Sequence, residues 1–440
     1  MPSVRLAAPW VLPMVVPPIA GGAVLVGEDG RISAVGRDAD VPRPAGTEEW
    51  ALPDTVLMPG LVNTHAHLEL TALRGLVRDQ PFVDWIGAVK RIKNALTAAD
   101  FRASARWGVL ESLAAGVTTT GDTGSSGEAA IALADLGARG VAYQEVFGPD
   151  PARCEESLAG LERDLDRLWP FTSARVEVGI SPHAPYTVSA VLMHNLAAFA
   201  RARGCRVAMH VAESREETRF LEEGEGPFAD ALRARGIAVG PQQLSPLAWV
   251  ARSGLMELRP LLIHCVTAAE EDFRYLARHG ATVAHCPSSN LALGNGRADL
   301  ALMRRLGVTV GLGTDSVVAG GGLDLFREAR AAALGTPLTP REMLRLATMG
   351  GAAALGLDGV GMLVPGAWGD VVSVSLEAPS FAGIGDPEEA VAHSATSSDV
   401  AHVWVAGRMV YRRGFWPGVD AARERAALEL AAKNALAARA

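Results

Sequence analysis

His65 and His67 stand two residues apart at the end of the apolar run Val56-Leu57-Met58-Pro59-Gly60-Leu61-Val62-Asn63-Thr64. In a strand, residues i and i+2 project to the same face, so two imidazoles at this spacing can grip a metal ion together. They could equally be polar decoration of a strand end, and partners elsewhere in the chain must decide. Candidate partners recur downstream. They are His183 in Ser181-Pro182-His183-Ala184-Pro185, His210 and Glu213 in His210-Val211-Ala212-Glu213, His264 beside Cys265, His285 ahead of Cys286-Pro287-Ser288-Ser289-Asn290, and Asp315 in Gly313-Thr314-Asp315-Ser316.

Such residues act together only if the fold gathers them. Leu57, Leu61 and Val62 read as a buried strand, with Pro59-Gly60 punctuating its start. Strand-like runs are expected at Leu61–Thr64, Val117–Asp122, Gly140–Val146, Val176–Ser181, Arg206–His210, Leu261–Cys265, Thr282–His285 and Val308–Thr314. Helical patterns lie between most of them, among them Ala152–Leu168, Ala190–Arg203 and Ala269–His279. Eight strands alternating with helices predict an α/β fold, a (β/α)8 TIM-type barrel, whose chemistry collects at the strands' C-terminal ends. Most of the ten histidines fall at those ends, where chance would scatter them over surface and helices.

Short β-type runs occupy both chain termini, with a hairpin signal at Glu28-Asp29-Gly30 and a related pattern from Asp370 to Tyr411. The two ends are expected to share one small β-sandwich domain. The expected boundaries are 1–57 and 364–440 for that domain, the latter with a terminal helix, and 58–363 for the barrel.

Composition sets the outer bounds. Hydrophobic residues make up 49% and charged residues 20% of 440 positions, a balance that excludes disorder as the main theme. The net charge of -8, without a basic stripe, argues against a nucleic-acid partner. Cys154, Cys205, Cys265 and Cys286 are widely spaced and read as small buried residues rather than a disulfide framework. The apolar segment from Trp10 to Val26 carries Pro13, Pro17 and Pro18, which suits a strand pair better than a secretory signal. No apolar stretch reaches the ~18 residues that span a bilayer, so a cytoplasmic protein without a membrane partner is expected.

Taken in order, Pro-Gly-Leu-Val-Asn-Thr-His-Ala-His, His-Val-Ala-Glu, His-Cys-Val, Ser-Asn-Leu-Ala-Leu-Gly-Asn-Gly, Gly-Leu-Gly-Thr-Asp-Ser and Gly-Asp-Val-Val resemble the amidohydrolase superfamily over essentially the whole chain. Within it, the chain is most similar to the branch with one metal ion, which contains aminohydrolase deaminases and triazine chlorohydrolases. The resemblance implies that His65, His67, His210 and Asp315 ligate one divalent ion. Imidazole and carboxylate suit Zn²⁺, and Fe²⁺ fills such sites in some relatives. No lysine lies near the end of the fourth strand to bridge a second ion.

The ion would lower the pKa of a bound water towards ~7, so that hydroxide could attack an amino-bearing ring carbon. Glu213 is the expected general acid for the neighbouring ring nitrogen; its alternative is a first-turn helix residue gaining dipole stabilisation, since Ser214 begins a helical run. His264 would orient the hydroxide, and Asp315 would ligate the metal and take up the proton from water. His183 and Asn290 are expected to face the substrate. Arg74 and Trp85 lie on the insertion after the first strand, where Arg74 is either an anion contact or a surface salt bridge.

His67-Leu68-Glu69-Leu70-Thr71, Gly121-Asp122 and Glu145-Val146-Phe147 look like aminodeoxyfutalosine deaminases, which makes deamination of the adenine 6-amino group, first of aminodeoxyfutalosine, the expected activity. S-adenosylhomocysteine/methylthioadenosine deaminases are the alternative. They resemble the chain in Leu-Arg-Gly and in Ser-Asn-Leu-Ala-Leu-Gly-Asn-Gly, but their ribose-binding glutamate precedes the position of Glu128 here. A deaminase or chlorohydrolase of another N-heterocycle and a non-catalytic scaffold remain as further readings. The expected partner is a small molecule, with a homo-oligomer possible.

Overall fold

The computed structural model describes residues 2–439. Parallel strands buried on both faces read as continuous apolar runs. Eight of them follow in chain order: Leu61–Ala66, Val117–Gly124, Arg139–Val146, Val176–Pro182, Ala208–Val211, Leu261–His264, Thr282–His285 and Thr309–Leu312. The first four form one parallel sheet and the last four another, each in sequence order. Bridges between Ile180 and Val207 and between Ala66 and Asp315 link the two sheets at both edges, so the eight strands make a complete circuit. Val62, Val141, Tyr143, Ala208, Ile263 and Ala284, drawn from five of these strands, pack into one buried cluster. The helix Ala190–Arg203 coincides with its expected span, while Cys154–Leu168 and Glu270–His279 begin slightly later than expected.

Both chain ends enter a single eight-stranded sheet. Val4–Val11 pairs with Ile19–Val26 on one side and, through Trp10 and Val11, with Thr55–Pro59 on the other; Val371–Ser375 then continues antiparallel to Thr55–Pro59. The run expected as one buried strand from Leu57 to Val62 is therefore two strands in two sheets, with only Gly60 between them. A Cβ at Gly60 would fall 2.0 Å from Thr118 Oγ1, so no larger residue can pass that crossing without displacing the neighbouring strand.

The terminal helix Ala421–Ala437 lies along the helix Ala98–Ala114, where Arg106 pairs with Glu424 at 2.8 Å and Asn434 donates to Asp100 at 2.8 Å. Ala431 and Ala435 join Leu73, Val77 and Ile92, so this helix backs the insertion after the first ring strand. No helix among the described residues is long and apolar enough to cross a membrane.

One buried ion pair fastens the sheet to the ring. Arg139, at the start of the third ring strand, reaches Asp370 with Nε–Oδ2 at 2.7 Å, and the Ala406 N–H donates to Asp370 Oδ1 at 2.7 Å. Gly60 N–H donates to the Asp370 carbonyl at 2.9 Å, so the Gly-Asp-Val-Val motif marks the junction of the two sheets. Removing one partner of such a pair strands a charge in the interior. Arg139→Met is expected to cost about 3–5 kcal/mol in urea unfolding, and a loss below about 1 kcal/mol would show that the pair is not buried in solution.

Candidate metal centre

Strand alternation explains part of the site and backbone strain explains the rest. Ala208 faces the ring's interior cluster, so His210 two residues on faces the same way. On the sixth strand Leu261 and Ile263 are the inward residues, and regular alternation would send His264 outward. His264 instead has φ +75°, and Asp315 has φ +58°, a left-handed backbone that turns both side chains back over the ring. Ala212 and Cys265 share this conformation. Asp315 N–H donates to the His65 carbonyl at 3.0 Å, and a Cβ at Gly313 would sit 2.9 Å from His65 Cβ, so the last strand closes tightly on the first.

The result is a cluster of buried imidazoles. The His65 ring centre lies 4.8 Å from that of His67, 4.9 Å from His210 and 5.7 Å from His264. Ligand atoms of His65, His67 and His210 all lie within 4.8 Å of one another. Asp315 Oδ1 stands 3.5 Å from His65 Nε2 and 3.6 Å from His67 Nε2. Two ligands at about 2.0–2.1 Å from one tetrahedral ion stand about 3.4 Å apart, so these separations suit a shared cation. Among the described residues His65 Nε2 is buried with no hydrogen-bond partner, which a metal bond would satisfy. Burial holds His67 and His210 below the ordinary imidazole range and His264 at about 3, leaving neutral rings with lone pairs free to bind.

Neighbouring groups decide which nitrogen faces inward. His210 Nδ1 donates to the His183 carbonyl at 3.0 Å, which turns Nε2 toward the cluster. Asn290 Oδ1 lies 2.8 Å from His264 Nδ1 and fixes the proton there. Thr123 Oγ1 lies 3.4 Å from Nδ1 of both His65 and His67, and Ser289 Oγ donates to Asp315 Oδ2.

Glu213 is buried with Oε1 at 3.5 Å from His264 Nε2. Burial, reinforced by the Asp315 and Glu217 charges, pushes its pKa well above the usual carboxylate range. Glu213 precedes the helix Arg215–Glu223 and its cap Ser214 rather than lying in the first turn. Of the two first-turn glutamates, Glu216 and Glu217, it is the Glu217 carboxylate that accepts the Ala212 and Glu213 N–H groups at 2.8 and 2.9 Å.

The structure thus brings together His65, His67, His210, Asp315, His264 and Glu213, with His183 beside them at 5.0 Å ring to ring from His210. Three residues expected near the substrate, Arg74 with a surface salt bridge as its alternative, have protein partners in the structure. Asn290 is fully buried behind His264 and serves its Nδ1. Arg74 is bound to Glu111 and donates to the Gly321 carbonyl. Trp85 packs with Leu73, Val77 and Ile92 under the terminal helix. His285 alternates with the inward Ala284 and Cys286 and lies outside the cluster. An open groove of about 580 Å³ flanks Glu213 through Asn295, which lines the groove and lies 3.5 Å from Glu213 Oε1.

Sequence reasoning missed Lys93. Its Nζ is 2.6 Å from Glu69 and 3.7 Å from Glu145. The available signal was compositional: the chain has only three lysines, and Lys93 follows Val89 and Ile92 on the buried side of its helix.

The profile of the amidohydrolase family matches residues 56–410. The chain belongs to the amidohydrolase family and is a hydrolytic enzyme. It is 32% identical over 419 residues to a 5-methylthioadenosine/S-adenosylhomocysteine deaminase of Nitratidesulfovibrio vulgaris strain Hildenborough, covering 91% of this chain and 90% of the relative. Among solved structures it is similar to a zinc-bound adenosine deaminase from Xanthomonas campestris, with TM-score 0.86 and 26% identity over 98% of each chain. It also shares its fold with the Helicobacter pylori aminofutalosine deaminase in complex with methylthio-coformycin, with TM-score 0.80 and 19% identity over 92% of this chain and 100% of that one. These relatives and the His/Asp cluster support a divalent metal in this family member.

Because Glu217 secures the backbone that carries Glu213, Glu217→Gln is expected to lose about 1–3 kcal/mol of stability, with metal content unchanged. Burial raises Glu217 to about 7, so the native carboxyl favours folding most below the unfolded value near 4.5 and loses that advantage as pH rises through 7. The variant's deficit should therefore shrink between pH 5 and 8 in urea titrations. A deficit that grows with pH would contradict the assignment.

Proposed function

We propose that this protein is a hydrolytic deaminase that removes the 6-amino group of an adenine nucleoside, with 5-methylthioadenosine and S-adenosylhomocysteine as the first substrates to test. Glu213 carries the reading. A buried carboxyl whose hold on its proton is strengthened by burial, 3.5 Å from His264 Nε2 beside a metal-binding cluster, is the group that ring-nitrogen protonation requires. Full-length relatives named for those two substrates favour them over aminodeoxyfutalosine, whose deaminase is similar at the level of fold. Aminodeoxyfutalosine is the second reading, on the strength of His67-Leu68-Glu69-Leu70-Thr71.

In this reading His65, His67, His210 and Asp315 hold one divalent ion, with Zn²⁺ preferred because the adenosine deaminase similar to this chain binds zinc. When bound, the ion supplies Lewis acidity and makes hydroxide available near pH 7. Glu213 gives its proton to the ring nitrogen beside the amino carbon. His264, with its proton fixed on Nδ1 by Asn290, offers the Nε2 lone pair to the attacking water, and Asp315 accepts the proton that water releases. The amino group takes up the proton held by Asp315 and leaves as ammonia, while the new hydroxyl gives its proton back to Glu213 as the ring carbonyl forms.

The eight strands and their two linking bridges are taken as a closed (β/α)8 barrel over residues 58–363, and the single eight-stranded sheet of both chain ends as the companion unit expected as a β-sandwich over 1–57 and 364–440. The four free cysteines suit a reducing, cytoplasmic setting.

Glu213→Gln is expected to keep its metal and lose at least about 10²-fold in kcat, the range of positioned acid catalysis. Near-normal ammonia release by the metal-loaded variant would refute the mechanism. Release from a triazine, cytosine or guanine but from no adenine nucleoside would refute the substrate class.

A further inference from the structure

Val141 and Tyr143 face the ring's interior cluster, so Glu145, two residues on, faces inward at the C-terminal end of the third strand. Its side chain is 2% exposed. Among the described residues its Oε1 has no hydrogen-bond partner, although His183 Nε2 lies 4.0 Å away. A buried carboxylate oxygen left without a donor is costly, and such an oxygen marks the place of a missing ligand group.

Two ligand types could fill it. Glu145, His183 and His210 offer ligand atoms within 4.8 Å of one another, which would admit a second cation. The Lys93 ammonium opposes that, because it stands 3.7 Å from Glu145 and is held there by Glu69 at 2.6 Å. Ser125 N–H, Ser126 N–H and the Ser126 hydroxyl also donate to Glu69, so Lys93 is anchored from behind. At 3.7 Å, Lys93 and Glu145 are too far apart to hydrogen-bond to each other. A hydroxyl between them can donate to Glu145 and accept from Lys93.

We propose that Glu145 and Lys93 form a hydroxyl-recognition subsite for the sugar of the nucleoside, with His183 on its rim. This rests on the nucleoside reading above. Glu213 and His264 hang from the fifth and sixth strands, whereas Glu145 hangs from the third. A purine whose amidine edge meets Glu213 turns its opposite edge, and the sugar attached there, toward Glu145. Glu128 is already committed to Arg102 at 3.0 Å, whereas Glu145 Oε1 has no hydrogen-bond partner among the described residues.

The test compares adenosine with 2′-deoxyadenosine and 3′-deoxyadenosine on metal-loaded wild type, Glu145→Gln and Glu145→Ala, with metal content and unfolding midpoint measured on each. Wild type should prefer adenosine over one deoxy analogue by about 100-fold in kcat/KM, because the analogue leaves buried polar groups unpaired. Both variants should lower kcat/KM for adenosine while leaving that for the analogue within about threefold, which collapses the preference. Equal losses on all substrates, no preference in wild type, or a second metal equivalent lost with Glu145 would each overturn the subsite while leaving the deaminase reading intact. Wild type inert toward every adenine nucleoside would overturn both.

Discussion

The structure depends on a set of imidazole nitrogens that converge within 4.8 Å of one another at the strand ends. His65, His210 and His264 are buried and His67 is partly exposed, and His65 Nε2 has no hydrogen-bond partner among the described residues. Desolvation favours the neutral form of His67, His210 and His264, and lone pairs converging on one point are best satisfied by a group there that accepts them. A divalent cation, with Asp315 supplying negative charge, is such a group. The strand ring, the left-handed strand ends and the polar groups behind the histidines are all means of holding this arrangement.

Those groups work from outside the cluster inward. The carbonyl of His183 orients His210, Asn290 orients His264, Thr123 touches both His65 and His67, and Ser289 holds Asp315. Each comes from a neighbouring strand or the segment that follows it, Ser289 and Asn290 from the short helix Pro287–Ala292, so the site is a product of strand order. Glu217 extends the same logic to Glu213 by holding the backbone in front of it. On the opposite wall, Glu69 and two serines anchor Lys93 beside Glu145.

The parts of this design that obey periodicity were legible in the sequence. Strands buried on both faces appear as apolar runs, and His65 and His67 announce themselves by their spacing at the end of one. What was not legible lies where local pattern gives way to geometry. The run around Pro59-Gly60 reads as one strand because both halves are apolar; that they belong to different sheets follows from a close approach to Thr118, 58 residues away in sequence. His264 escapes strand alternation through a left-handed backbone that its sequence neighbours do not signal. Asn290, Arg74 and Lys93 are long-range pairings, with His264, Glu111 and Glu69 respectively, and side-chain partners at that separation leave no periodic trace.

Anomalous X-ray scattering at the edge of the bound metal, recorded from crystals of the metal-loaded protein, tests the central claim most directly. A single ion per chain is expected, about 2.0–2.2 Å from one nitrogen each of His65, His67 and His210 and from an Asp315 oxygen. A peak seated on other residues, two peaks within the cluster, or none in fully loaded protein would contradict it.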